Sequence, residues 1–575
     1  MKLIRLKITD PHGFRSLQPG FEYHFRREWE LDRDDEFAPF ICAGPNGSGK
    51  SNLLEVLAAI FFHLDCKGLV NRPELFEYNK ETVPNGYREE VGSPNAFELE
   101  FYGKPFAGFA LATNEHYPRV LITKEIGKGP QYFILNGLGF DSHEPLHSQL
   151  VKKILPDFVL AYSSGENEIL SLPFFKMRFI HFDEYADFSR KNIGYSCPPN
   201  GDQPEGRLAF LDQDFNQAIL LSNFILGEKS TLIPFAQEIG LEGIHFFRII
   251  LRDIQYPSGL GISSSSTTFP ATSKSDGSEG LRSEWPLLEN AASIVKSLKS
   301  CATSFFRDEK DTLYLDYWLD EQCQETFRAH FESPLKLFQS LQLLLTLNLY
   351  SVSNQQKLEM YQSNSLYFNE TVPVLPSDRR VIRFKDVVLK KRGVASDRIV
   401  YCKALSDGEN QFLHTLGLCT LYRDQSVLFL LDEPDTHFNP DWRSKFIFRL
   451  RDCFPESNSF REMLITTHTP FLISDSKPEK VLVFEKEEET GKVAINRPEY
   501  NTLGASINKI TMNTFGKRET IGGYAEVILE DIKSRFESGD DPENLLDEIN
   551  KKLGDSIEKI SLIKLILDRL EGENK

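Results

Sequence analysis

Several features are scarce in this sequence, and each scarcity removes a class of protein. Its eight cysteines (Cys42, Cys66, Cys197, Cys301, Cys323, Cys402, Cys419, Cys453) are scattered and form no C-x-x-C pair. That spacing indicates neither a zinc site nor a disulfide framework, and reduced thiols are expected. No apolar run reaches the length of a membrane span. The opening MKLIRLKITDPHGF alternates like a strand and lacks the apolar centre of a secretion signal, so a soluble, cytoplasmic chain without a membrane partner is expected. No heptad repeat is sustained, which argues against a long coiled-coil arm. Basic residues are outnumbered, and the formal charge is −18. Such a chain does not coat nucleic acid by its average field, although a local basic patch is compatible with that charge.

The chain nevertheless has 575 residues and 40% hydrophobic composition, enough for a large core and more than one domain. Near its start, an apolar run from Phe37 to Cys42 feeds Gly44-Pro45-Asn46-Gly47-Ser48-Gly49-Lys50-Ser51, and Asn52 to Phe62 then reads as a helix. Strand, glycine-rich loop and helix in that order form a phosphate cradle. The glycines let backbone N–H groups converge on phosphate oxygens, Lys50 can reach the β and γ phosphates, and the Ser51 hydroxyl can ligate Mg²⁺. Short alternating runs from about Phe97 to Leu135 predict antiparallel strands.

A second informative stretch runs from Ala404 to Pro440. Leu405-Ser406-Asp407-Gly408-Glu409-Asn410 is a polar loop opening a helix. Val427 to Leu431 has the length of a strand buried on both faces and ends in Asp432-Glu433-Pro434. Two carboxylates at the end of a buried strand suit Mg²⁺ binding by Asp432 and polarisation of an attacking water by Glu433; an acidic turn is the plainer alternative. Beyond it, Met463 to Thr467 reads as a buried strand delivering His468, a candidate γ-phosphate sensor. An earlier segment, Tyr162-Ser163-Ser164-Gly165-Glu166-Asn167-Glu168, repeats the S-x-G-E-N pattern. Because only the Ser406 copy precedes the acidic strand by one helix, the signature role goes to it, and the first copy is either a glutamine-loop equivalent or a helix N-cap.

Between these stretches, about Glu184 to Asn369 reads as helical, with runs at Ala209 to Leu226, Leu288 to Phe306 and Asp320 to Leu345, the last broken at Pro334. A segment rich in Ser, Thr and Gly at 257–283 reads as a mobile loop. The tail from Tyr500 reads as helical, with Leu545, Ile549, Leu553, Ile557, Ile560 and Ile563 at near-helical spacing and Gly554 as its weak point. Arg379, Arg380, Arg383, Lys385, Lys390, Lys391 and Arg392 form the densest basic run, but simple strand alternation would divide them between two faces.

GPNGSGKS, LSDGEN, LLDEP and TTH together resemble the ABC-type ATPase heads of the SMC/RecF class, and Gly13-Phe14-Arg15-Ser16 resembles the GF[KR]S element of such heads. The Asp432 to Pro440 segment, the paired YSSGENE and LSDGEN, and Thr502 to Ile510 are similar to the PtuA-type restriction-associated AAA-family ATPases of Septu and retron antiphage defence systems. The resemblance implies an α/β P-loop NTPase fold of the ABC-type ATPase head kind, a mixed sheet plus an antiparallel β layer, with an inserted helical domain and a helical C-terminal tail. It implies head lobe I with the Walker A loop at 1–185, the insertion at 186–370, head lobe II at 371–498 and the tail at 499–575. It implies binding of ATP and Mg²⁺ by Gly44, Pro45, Asn46, Gly47, Ser48, Gly49, Lys50, Ser51 and Asn52, with Ser51 and Asp432 on the metal. Ser406, Gly408 and Glu409 would serve nucleotide held by a second chain, and Glu433, His468 and Lys50 would carry hydrolysis to ADP and phosphate.

Partners implied are a second copy of the chain through the heads and an HNH nuclease; a reverse transcriptase with its RNA/DNA product and nucleic acid itself are also compatible. The chain supplies no convincing nuclease of its own. Two departures stand out. Asp407 replaces the glycine usual in transporters, and the S-x-L-D form is absent around Asp435. A DNA-binding ATPase of RecF type in repair is the alternative reading, and a transporter ATPase fits GFRS and DEPDTHFNP poorly.

Overall fold

The computed structural model describes the chain apart from residues 27–36, 70–71, 107–116, 139, 141, 143, 165–167, 192–205, 253–285, 363–374, 394–397, 455–459, 517–520 and 574–575. Cys197, the loop expected at 257–283 and the Gly165-Glu166-Asn167 part of the first S-x-G-E-N copy therefore lie outside the described residues.

Seventeen strands are described. In chain order, the first eight are β1 (Lys2–Ile8), β2 (Glu22–His24), β3 (Phe40–Ala43), β4 (Phe97–Tyr102), β5 (Arg119–Lys124), β6 (Gln131–Ile134), β7 (Phe158–Ser163) and β8 (Leu208–Phe210). Then follow β9 (Leu241–Leu251), β10 (Ser304–Arg307), β11 (Leu313–Trp318), β12 (Ile382–Lys391) and β13 (Arg398–Tyr401). The last four are β14 (Val427–Asp432), β15 (Arg461–Thr466), β16 (Val481–Lys486) and β17 (Val493–Asn496).

The central sheet has the order β17-β16-β3-β15-β14-β7-β8. Its pairings are parallel from β16 to β8, with β17 antiparallel on the edge. Parallel strands are covered by helices on both faces. Accordingly every residue of VLFLLD, REMLIT and FICA in β14, β15 and β3 is buried. One core cluster packs on each side: Leu428, Leu430 and Leu464 join the helix Lys50–Gly68, and Phe429, Leu431 and Ile465 join the helix Asp407–Leu421.

A second sheet, β2-β1-β4-β5-β6, is antiparallel throughout and is the β layer that the alternating runs predict. It is joined to the central sheet by Glu462, which accepts from the Leu3 N–H (2.7 Å) and is buried against Arg26 (Nη2 at 3.0 Å). Removing one partner of so buried a pair leaves an uncompensated charge.

The stretch expected to be a helical insertion differs. The helices Asn216–Leu226, Pro286–Cys301, Glu321–Phe331 and Pro334–Thr346 are present, and Ser333 caps the last behind the expected break. Ahead of them, however, β8 adds to the central sheet, and between them β9, β10 and β11 join β12 and β13 in a third sheet of order β10-β11-β9-β12-β13. Strand β9 is rich in Phe and Ile and pairs with chain more than a hundred residues further on, a partnership that local periodicity does not reveal.

The tail is helical, and its break falls around Gly554. Its stripe is not one helix: Pro542–Lys552 ends at Leu553, and a new helix, Ile557–Glu573, begins after Ser556, whose hydroxyl accepts from the Lys559 N–H (3.0 Å). The phase shifts across this break. Leu562 and Ile566 are buried with Leu545, Ile549, Ile532 and Phe536 in a small separate core, whereas Ile557 and Ile560 are exposed. No helix among the described residues is long and apolar enough to cross a membrane.

Candidate nucleotide site at the sheet edge

Parallel pairing sets Cys42, Thr466, Asp432 and Ser163 in one row across β3, β15, β14 and β7. Four strands thus deliver their C-terminal ends to one edge, where open α/β sheets present their ligand sites.

The loop after β3 is held in a shape that needs glycine. Gly44, Gly47 and Gly49 have φ values of 143°, 75° and 97°. A Cβ on Gly44 would stand 2.4 Å from the Phe484 carbonyl, and one on Gly49 would stand 2.8 Å from the Ser16 hydroxyl. The latter contact gives the GFRS element a purpose. Ser16 lies against the loop and meets the Asn52 side chain; with its amide turned to satisfy both ends, Asn52 accepts from the Ser16 N–H (3.1 Å) and donates to Glu55 (3.2 Å). Asn52 therefore braces the cradle from behind. Pro45, Asn46 and Gly47 form its exposed rim.

The helix Lys50–Gly68 starts with no side-chain cap and no acidic residue in its first turn, which leaves its positive end for an anion. Ser48 is buried with its hydroxyl unpartnered among the described residues, an orphan that a phosphate oxygen would satisfy. Lys50 is folded back onto the loop, donating to the carbonyls of Gly44 (3.1 Å) and Pro45 (3.0 Å). Burial lowers its pKa below the ordinary lysine value, against the opposing pull of Glu433 and Asp432. An anion replacing those carbonyls would restore full charge stabilisation.

Asp432 meets the cradle directly. Its Oδ1 accepts from the Ser51 hydroxyl (3.0 Å) and the Thr466 hydroxyl (2.6 Å), and Ser163 approaches its Oδ2 at 3.5 Å. Ser51 and Asp432 together offer two hard oxygen ligands. Among the described residues no cluster of three or more His, Cys, Asp or Glu could enclose a metal. A pair of hard oxygens fits a cation that completes its shell with phosphate and water.

Glu433 adopts φ 49°, with its N–H held by the carbonyl (3.2 Å) and hydroxyl (3.0 Å) of Thr466. Its carboxylate lies 2.7 Å from His468 Nε2. The His468 hydrogen bond holds its pKa below the ordinary carboxylate range against partial burial, with further help from the charges of His468 and Lys50. Glu433 is therefore ionised and partly open to solvent, as a base that polarises water must be.

The Ser406 loop belongs to the other side of the same segment. Ser406 and Glu409 form a reciprocal capping box on the helix Asp407–Leu421. Glu409 is also paired with Lys391; although burial opposes it, that partner and the Ser406 N–H hold its carboxyl below the ordinary value. Glu409 thus has a local structural task, and the groups left outward at this helix start are Ser406 and the exposed Asp407. A carboxylate in a first turn is favoured by the helix dipole, which accounts for Asp407 locally. Gly408 is required by close approach: a Cβ there would stand 2.8 Å from the His437 carbonyl. Gln411 accepts from the His437 N–H (2.9 Å), so this helix is docked on the chain that follows Glu433.

Some contributors carry weak sequence signals. Thr466 fixes both Asp432 and the Glu433 backbone, and the first S-x-G-E-N copy supplies Ser164, whose hydroxyl donates to the Glu433 carbonyl (2.5 Å). Asp435, in a segment without the S-x-L-D form, is buried and accepts from Thr467 (3.4 Å) and Thr469 (3.0 Å), the residues on either side of His468. Their signal was the clustering of hydroxyls beside acidic residues at strand ends.

Comparison with known proteins places these motifs in context. No family model matches the chain. It is 25% identical over 174 residues to "Protein ea59" of Escherichia phage lambda, which covers 30% of this chain and 31% of that protein. It is also 25% identical over 122 residues to "Septu protein PtuA" of Bacillus thuringiensis, covering 21% of this chain and 30% of that protein. Each match spans less than a third of the relative's own length. Among solved structures, the SMC head domain from Thermotoga maritima aligns with 87% of this chain and all of that one, at 12% identity and a TM-score of 0.30. An SMC head bound to the C-winged helix domain of ScpA aligns with 87% of this chain and 98% of that one, at 12% identity and a TM-score of 0.31. The chain resembles PtuA over about a fifth of its own length.

Proposed function

We propose that this chain is the ATP-hydrolysing, regulatory subunit of a bacterial antiphage defence complex, closing head to head around ATP and controlling a partner nuclease of the HNH type. The observation that carries the ATPase part is the meeting, at one sheet edge, of Ser51 with Asp432 and of Glu433 with His468 beside a glycine-built loop. Gly44 to Asn52 would hold the triphosphate, and Ser51 with Asp432 would hold Mg²⁺, which when bound neutralises phosphate charge. Lys50 would move from the loop carbonyls to the β and γ phosphates. Glu433 would orient the attacking water, with its carboxylate aimed by His468, and His468 would face the γ-phosphate.

Dimerisation is supported by the shape of the Ser406 loop. Its serine is exposed at the start of the helix Asp407–Leu421, whose dipole turns its positive end toward that surface. In the closed dimer Ser406 and Gly408 would contact nucleotide bound by the other chain. The link to defence and to a nuclease partner rests on the PtuA match and the motifs behind it.

Glu433→Gln is expected to keep ATP affinity, lose about two orders of magnitude or more in turnover, as removal of a positioned base does, and accumulate an ATP-dependent dimer seen by mass measurement. Normal turnover would overturn the assignment of the base. Co-purification with neighbouring gene products from a native host tests the partner, and recovery of no nuclease would overturn it.

A further inference from the structure

The third sheet has two unlike faces. On one, Leu315, Tyr317, Phe247 and Ile249 are buried in the main core; the Tyr317 hydroxyl donates to Leu298 (2.9 Å) of the helix Pro286–Cys301, and Phe247 meets Phe327 of the helix Glu321–Phe331. On the other, strand alternation places Tyr314, Asp316 and Trp318 of β11, with Phe306 of β10 and Phe246 and Arg248 of β9 opposite them.

These outward side chains form two aromatic pairs. Phe306 and Tyr314 are stacked, with centroids 4.5 Å apart and planes 2° from parallel. Phe246 and Trp318 have centroids 4.5 Å apart. Phe306 is 46% and Trp318 48% exposed, unusual for side chains so large. Tyr314 and Trp318 are four residues apart on β11, which separates the pairs by roughly 13 Å. Between them Arg248, bonded to Asp316 (Nη2 to Oδ2, 2.7 Å), lies 5.7 Å from the Phe306 centroid and 5.8 Å from that of Tyr314.

The basic run borders the same face because β12 is bulged. Asp386 has φ 52°, and the register against β9 shifts between Lys385 and Val388. An extra residue reverses the parity of a strand. Arg383 and Lys385 before the bulge, opposite Ile250 and Arg248, therefore share a face with Lys390 beyond it, which pairs with the exposed Ile399. Lys385 and Lys390 are exposed and make no ion pair among the described residues. Tyr401, opposite Val388 and 60% exposed, extends the apolar part. On this face Arg248, Arg383, Lys385 and Lys390 outnumber Asp316, Asp386 and Asp308, the last of which accepts from the Tyr314 hydroxyl (3.1 Å), in a chain whose formal charge is −18.

We propose that this face binds single-stranded nucleic acid, with bases stacked on the Phe306–Tyr314 and Phe246–Trp318 pairs and phosphates along Arg383, Lys385 and Lys390. Aromatic platforms on a sheet with cations beside them read unpaired bases, because every base has a π-face and a duplex hides it. The concentration of positive charge against the sign of the whole chain favours a polyanion over an acidic chain's own kind. The inference does not depend on the ATPase reading and is tested without nucleotide.

The test is fluorescence anisotropy of the full chain with a short labelled oligo(dT), the matching oligo(rU) and a duplex of equal length, at two salt concentrations. Binding of one or both single strands ahead of the duplex is expected. Phe306→Ala with Trp318→Ala should weaken it by roughly 5- to 150-fold for each stack lost. Lys385→Glu with Lys390→Glu should weaken it and flatten its salt dependence. Ile126→Ala, an exposed apolar change in the turn between β5 and β6, should have no effect. Because all the changed side chains are at least half-exposed or nearly so, unaltered thermal unfolding is expected and checked alongside. Absence of binding, equal affinity for duplex, or variants that bind as the parent does would overturn the proposal. So would sedimentation showing that the aromatic variants abolish a self-association through this face.

Discussion

Glu433 occupies a left-handed backbone conformation, φ 49°, that costs a non-glycine residue about 1–3 kcal/mol. Thr466 from the strand on one side and Ser164, just past the end of β7 on the other, hold it there, through its N–H and its carbonyl. The backbone turn aims the carboxylate at His468 (2.7 Å) rather than along the strand. Since that hydrogen bond is the largest influence lowering the Glu433 pKa from 4.5, removing the imidazole raises it. The sign for stability follows: a carboxylate depressed on folding stabilises the chain above its unfolded pKa and stops doing so as pH falls through the folded value. Under the proposed mechanism the ionised form is the competent one. The acid limb of the ATPase pH profile is therefore expected to move to higher pH in His468→Ala, with turnover at neutral pH also reduced. A profile whose acid limb stays in place would show that His468 does not govern this carboxylate.

At the scale of elements, the helix Asp407–Leu421 has a start that serves two purposes, and substitution can separate them. The capping box stabilises the helix, and its serine is the residue proposed to meet a second chain's nucleotide. Ser406→Ala removes the cap and should cost about 1 kcal/mol in chemical unfolding, whereas Ser406→Asn retains a capping side chain and should cost only a few tenths. Both are expected to lose ATP turnover. If Ser406→Asn turned over normally, the serine would be a cap and nothing more. The same contrast explains what could be read in the sequence. The P-loop, β14 and β15 were legible because each is a local pattern: glycines that need positive φ, and short apolar runs buried on both faces. The strand nature of β9 was not, since its pairing partners β11 and β12 lie far along the chain. The bulge at Asp386 was equally hidden, although it decides that Arg383, Lys385 and Lys390 share a face. One local cue was available there: Asp308 to Asp311 between the aromatic runs of β10 and β11 is a hairpin signal, and Asp311 has φ 59°.

At the scale of the whole molecule, the central sheet brings the P-loop, Asp432, Glu433 and His468 of one chain to a single edge. The helix carrying Ser406 is fastened to the chain just beyond Glu433, through Gln411 and Gly408 against His437. In the proposed dimer, a movement of that helix would reach the Glu433 segment of its own chain while sensing nucleotide on another, which would couple two sites by direct contact. This arrangement has a consequence that a site completed within one chain does not. Lys50→Ala spoils the cradle and leaves the Ser406 loop intact; Ser406→Asn does the reverse; and each alone should be inactive. In a two-fold dimer formed from one chain of each kind, one site combines the intact cradle of one with the intact loop of the other, and the second site carries both defects. Random mixing makes half of the dimers of this kind, each with one of two sites working, so roughly a quarter of the parental ATPase rate is expected if the sites turn over independently. Steady-state phosphate release from the separate and mixed variants decides the matter. A mixture as inactive as its components would mean that the Ser406 loop does not complete a neighbour's site.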